Sequence, residues 1–133
     1  MTPNPSSWPT EGAEVVIRRP AGIRRFSYKE ATVKRLTATQ IVIREVSAKF
    51  RRRDFNEIGG DADLLDPADR TVQLAMAKCV EERARQAAEF ALQQYQRRGY
   101  SGTAPDADDR RELRAKLSAV LAQMNVVDSL SNP

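Results

Sequence analysis

The chain has 133 residues, 41% hydrophobic and 30% charged, with 22 Lys plus Arg against 18 Asp plus Glu and no histidine. Without histidine it lacks the commonest general base, the imidazole metal ligand and the side chain that titrates near neutral pH, which disfavours most hydrolase and metalloenzyme chemistry. Its single cysteine, Cys79, rules out an intramolecular disulfide framework and a multi-cysteine zinc site.

The length suits one ordinary core or two small halves. No apolar run approaches the ~20 residues of a membrane-spanning helix, and no signal-like segment opens the chain. The expectation is a cytoplasmic protein with no membrane partner. Charge is uneven: residues 1–60 carry 12 basic against 6 acidic side chains, a balance of +6, whereas residues 61–133 carry 10 against 12, a balance of −2. Such asymmetry favours a polyanion or an acidic protein surface as partner of the first half.

Residues 1–12, with Pro3, Pro5 and Pro9, read as a mobile lead-in that only Trp8 could pin down. Glu14 to Arg19 is a short strand ended by Pro20 and Gly22. Glycine and proline are then absent from 23–58. Tyr28 to Leu36 alternates, with Ala31 and Val33 on one side and Glu30, Thr32 and Lys34 on the other. After a reversal at Thr37-Ala38, Thr39 to Val46 is the most β-prone segment, Ile41 and Ile43 sharing a face. Lys49 to Arg52 is a further strand, Asp54 to Asn56 a turn, and Glu57-Ile58 a short closing strand. Several short strands in about 45 residues leave costly edges, and a small curled antiparallel barrel of the SH3-like kind, over 13–60, closes them economically.

The remainder, 61–133, reads as a linker and two helices near 67–98 and 106–128. Asp66-Pro67 is a helix start, and Gly99 with Arg97-Arg98 a helix end. Val72, Met76, Val80, Ala84, Ala87, Ala91 and Tyr95 share one face of the first helix. Leu113, Leu117, Val120 and Met124 follow helix-seam spacing on the second. The expected fold is α+β, an N-terminal SH3-like β-barrel followed by an antiparallel two-helix hairpin.

The basic residues of the β part are interleaved with aromatics. Arg18, Arg24, Arg25, Lys34, Arg35, Arg51 and Arg53 are the candidate phosphate contacts, and Tyr28 a candidate stacking platform, for DNA or RNA. Phe55 is a second possible platform, whereas alternation turns Phe50 inward. The aspartates Asp61, Asp63, Asp66 and Asp69 fail as a calcium loop, because the twelfth position from Asp61 is Val72 instead of glutamate. No catalytic constellation, phosphate loop or metal cluster is present, so neither a cofactor nor an enzyme is expected.

The run Ala31-Thr32-Val33-Lys34-Arg35-Leu36-Thr37-Ala38-Thr39-Gln40-Ile41-Val42-Ile43, with Lys49-Phe50-Arg51-Arg52 and Glu57-Ile58-Gly59, resembles small phage proteins encoded by viruses of actinobacteria. These carry a short SH3-like β-barrel. The resemblance covers about 45 residues and implies a fold, a viral origin and a bacterial host cytoplasm, but no activity. The functional expectation is a small non-enzymatic nucleic-acid-binding protein. The alternatives are a protein-binding adaptor or host-directed inhibitor, or self-association through Leu113, Leu117, Val120 and Met124.

Overall fold

The computed structural model describes residues 8–100, 102 and 104–132. The first seven residues of the expected lead-in, and residues 101 and 103 of the interhelical loop, lie outside them. The chain is α+β, a five-stranded antiparallel barrel-like sheet followed by two helices. The strands are β1 (Glu14–Pro20), β2 (Phe26–Leu36), β3 (Gln40–Ile43), β4 (Lys49–Arg51) and β5 (Asp63–Leu65), and the helices α1 (Arg70–Tyr100) and α2 (Ala107–Ser131). Two compact units result, one ending at Val72 and the other beginning at Gln73. No helix is long and apolar enough to cross a membrane among the described residues.

Strand order is β4-β3-β2-β1-β5, a meander whose fifth strand returns beside the first. That strand lies in 61–66, the stretch the sequence assigns to a linker. Three residues, Asp63 to Leu65, carry too short a pattern to register as a strand, yet Leu64 is buried opposite Ile17. Alternation sets the inward positions Ala31, Val33, Ile41, Ile43 and Phe50 as expected, and these form one cluster with Val15, Ile17 and Leu64. Strict alternation along β2 would carry Arg35 inward after Val33. A register shift between Val33 and Arg35 prevents this, so Arg35 lies opposite Val42 and Leu36 opposite the buried Ile41. Trp8 packs against the cluster and Gly12 N–H donates to the Val33 carbonyl at 2.9 Å, so residues 8–12 of the lead-in are held against the sheet instead of mobile.

The two edge strands are joined by residues 55–58. On one side Arg51 N–H donates to Asn56 O and Ile58 N–H to Lys49 O, both within 3.0 Å. On the other, Glu57 N–H donates to Ala62 O and Leu64 N–H to Phe55 O at 2.8 and 2.9 Å. The Glu57 carboxylate anchors this segment by accepting from both Arg19 Nη atoms at 2.9 and 3.1 Å, and it fills the space where a Gly60 side chain would stand.

In the helical part, α1 begins at Arg70, beyond the predicted Asp66-Pro67 start. Asp66 is used one turn earlier, accepting from Ala68 N–H, whereas Asp69 Oδ1 accepts from Thr71 N–H at 2.9 Å, as a helix N-cap does. The helix also passes through Gly99 to Tyr100, and the left-handed reversal falls on Gly102 (φ 86°). On the predicted α1 stripe Val72 is buried but Val80 is 44% exposed, while Ala88, which the stripe does not include, is buried. Asp106 and Asp109 cap α2 reciprocally, each carboxylate accepting from the other residue's N–H at 2.8 and 3.0 Å.

Replacing Gly60 with alanine should eject the Glu57 carboxylate from its place and lose about 1 kcal/mol, the strength of a half-exposed ion pair. Urea unfolding should show that loss in the native background and almost none in a Glu57→Ala background. Equal losses in both would mean that Glu57 is not what the glycine accommodates.

Candidate nucleic-acid interface

Residues directly opposite each other across antiparallel strands share a face. With Ile41, Ile43 and Phe50 turned inward, the register sets Arg35 opposite Val42 and Val42 opposite Lys49 on the outward side, with Arg51 opposite Gln40. Lys34, at the register shift, is exposed beside them. The outward surface of β2, β3 and β4 is therefore cationic because the core claims the alternate positions.

Beyond β4 the chain turns through Arg52, Arg53 and Asp54. Arg52 ties this turn to the β2–β3 reversal: its N–H donates to Thr39 O at 3.0 Å and its guanidinium to Thr37 O at 2.8 Å. Asp54 Oδ1 accepts from Asn56 N–H at 3.0 Å and, more weakly, from Arg51 Nε at 3.4 Å. The Asn56 hydrogen bond, aided by Arg51, holds the Asp54 carboxyl below its ordinary range. Phe55 follows in a left-handed conformation (φ 62°), which a bulky residue seldom adopts. Its ring meets Trp8 edge to face, centroids 5.2 Å apart. Trp8, Phe55, Thr39 and Arg51 to Arg53 enclose an open cleft of about 540 Å³.

The eight predicted nucleic-acid residues do not converge on one face. Arg18 is engaged by Asp63 through two hydrogen bonds of 3.0 and 2.6 Å, and its guanidinium lies 4.9 Å from the Phe26 ring centre. The Asp63 bond raises the Arg18 pKa, despite some burial. Tyr28 sits opposite Arg18 on β2, within this closed arrangement. Arg24 and Arg25 occupy the β1–β2 turn, with Arg24 left-handed (φ 57°) and Ile23 91% exposed. That turn is up to about 30 Å along β2 from Arg35, at ~3.3 Å per residue. Only Lys34, Arg35, Arg51 and Arg53 gather at the β3–β4 side, and there they are joined by Lys49, Arg52 and Trp8, which the sequence did not select. Strand alternation could have picked out Lys49. The Trp8–Phe55 contact links residues far apart in the chain, and no local pattern signals it.

Acidic side chains of the β part are mostly used within the fold. Besides Asp54, Asp63 and Glu57, Glu45 Oε2 accepts from Thr32 N–H at 2.8 Å, and this bond lowers its pKa. Lys34, Arg35, Lys49 and Arg53 have no carboxylate within ion-pair distance among the described residues. Three of the four aspartates of the failed calcium loop serve the fold: Asp63 holds Arg18, Asp66 caps a turn and Asp69 caps the start of α1. No group of three or more potential metal ligands converges among the described residues.

Of the predicted helical seam, Leu113 lines a groove of about 300 Å³ between α1 and α2 together with Phe90, Ala91 and Tyr95. Leu113 and Val120 are half-buried, whereas Leu117 and Met124 are 46% and 43% exposed and adjoin Leu121, 62% exposed. The seam therefore lies on one face of α2 but is only partly covered.

Hydrogen bonds from Arg19 hold Glu57 below the usual glutamate pKa. A lowered carboxyl pKa stabilises the fold at any pH above the unfolded value, roughly 4.3, and that stabilisation disappears as pH falls through the folded value. Glu57→Gln should therefore be less stable than the native chain at pH 7, by no more than about 1 kcal/mol because Arg19 is 43% exposed. The gap should close below about pH 4 in urea titrations; a gap independent of pH would exclude the pair as its source. Set against protein-family models, curated proteins and solved structures, the chain matches none of them.

Proposed function

We propose that this chain is a small non-enzymatic nucleic-acid-binding protein, an SH3-like barrel carrying an antiparallel helical hairpin. Its phosphate contacts come from Lys34, Arg35, Lys49, Arg51 and Arg53 on the β3–β4 side. The observation that carries the reading is that four of these, Lys34, Arg35, Lys49 and Arg53, are exposed and have no carboxylate partner among the described residues. Elsewhere in the β part Arg18 and Arg19 are neutralised by carboxylates of the same fold. Unpaired guanidinium and ammonium groups beside an aromatic cleft suit a phosphodiester backbone, whose condensed counterions are released on contact. The lack of histidine and of a catalytic constellation supports binding without chemistry. The strand order and the resemblance to small phage proteins support the SH3-like assignment.

Self-association is a second reading, favoured by one feature of α2. This 25-residue helix has no fully buried residue, so little tertiary packing stabilises it within its own chain. Leu117, Leu121 and Met124 of a second copy would supply the missing cover.

Fluorescence anisotropy with a labelled oligonucleotide tests the first reading. Affinity should fall steeply with salt, and Arg51→Gln with Arg53→Gln should reduce the slope of log K against log salt by about 1–2. Salt-independent affinity, or none at low salt, would remove the proposal. For the second, sedimentation equilibrium should show dimers or higher species that Leu117→Glu with Leu121→Glu converts to monomer. A native chain that stays monomeric at all concentrations would dismiss self-association.

A further inference from the structure

We infer that the cleft lined by Trp8 and Phe55 receives an unpaired base, which makes the partner single-stranded nucleic acid. This rests on the nucleic-acid reading above and narrows it. The cleft combines two features that a base with its phosphate requires together. Its walls include the Trp8 and Phe55 rings, set at 68° to each other and both packed on the core cluster, so the aromatic surface is in place before any partner arrives. Its rim carries Arg51, Arg52 and Arg53, opposed locally by the single carboxylate of Asp54. Arg53 makes no side-chain hydrogen bond among the described residues, whereas Arg52 is held in place by the Thr37 carbonyl.

The cleft volume, about 540 Å³, lies in the range of sites that enclose small organic groups. Phe55 keeps its ring here at the expense of a left-handed backbone that glycine or asparagine would adopt with less strain. Duplex DNA offers its phosphates to the arginines but no base face to the rings, because its bases are paired and stacked, and flipping one out is unfavourable. An acidic peptide would match the charge and leave the aromatic walls unused. A single strand satisfies both, and stacking a base on an aromatic ring is worth on the order of tenfold or more in affinity. Thr39 is the only uncharged hydroxyl or amide side chain in the lining, so little base-edge discrimination is available. Binding should tolerate many sequences.

Trp8 is the only tryptophan in the chain, so its emission reports on this cleft alone. The full chain is titrated at low salt with a labelled oligothymidylate of 12 nucleotides, a 12-base-pair duplex and poly-glutamate, following label anisotropy and Trp8 emission. The single strand should quench Trp8 and bind at least tenfold more tightly than the duplex. Phe55→Leu, which keeps an apolar side chain but removes the ring, should erase most of that preference. Arg53→Gln should weaken both oligonucleotides while leaving their ratio unchanged. Equal binding of single strand and duplex without quenching would overturn the single-strand inference and leave nucleic-acid binding intact. No binding of either would overturn both. Quenching by poly-glutamate as strong as that by the oligonucleotide would assign the cleft to an acidic peptide instead. Circular dichroism and urea unfolding of each variant separate loss of the cleft from loss of the fold.

Discussion

The backbone ladder through residues 55–58 links the last strand of the meander to the returning fifth strand. Arg51 and Lys49 bond to it on one side, Ala62 and Leu64 on the other. A short sheet with two open edges would bury too little and expose unpaired amides. This segment satisfies both edges at once, and Phe50 fills the space enclosed, fully buried. The same four residues determine the surface. Once Asn56 and Glu57 are held in the ladder, the turn from Arg52 to Phe55 has little freedom, and the Phe55 ring is directed against Trp8. The cationic rim and the aromatic cleft are consequences of how the sheet closes.

Electrostatics divides the arginines into two kinds. Arg18 and Arg19 project from β1 toward Asp63 and Glu57, which belong to the closing segment and to β5, so these pairs hold the first and last parts of the sheet together. Because each is partly exposed, each contributes modestly to stability, and their main effect is to fix geometry. On the β3–β4 side the weaker Arg51–Asp54 contact is such a pair, whereas Lys34, Arg35, Lys49 and Arg53 have none among the described residues. Concentrating unneutralised charge in one region opposes folding through self-repulsion, and a polyanion would relieve it.

The helical unit follows a different logic. Its caps are well made: Asp106 and Asp109 satisfy each other's amides, and Arg98 pairs with Asp109 across the interhelical loop. Capping fixes where a helix starts but supplies little of what keeps 25 residues helical in water. Of the apolar side chains able to do so, Leu113 lines the groove beside α1, whereas Leu117, Leu121 and Met124 remain over 40% exposed.

Sequence periodicity was sufficient for the inward positions Ala31 and Val33 of β2, Ile41 and Ile43 of β3 and Phe50 of β4, and for the existence of both helices, since each depends on neighbours two to four residues away. Local pattern failed where the decisive contact is distant. Three residues became β5 only because β1 lay beside them, and the register shift in β2 arose from fitting Leu36 over Ile41. Arg18 looked like a phosphate ligand until Asp63, 45 residues away, was placed against it. The same holds for the cleft: arginine content was readable from composition, but which guanidinium groups stay uncommitted depends on which carboxylates the folded chain brings within reach. Charge is a property of the residue, whereas its availability is a property of the fold.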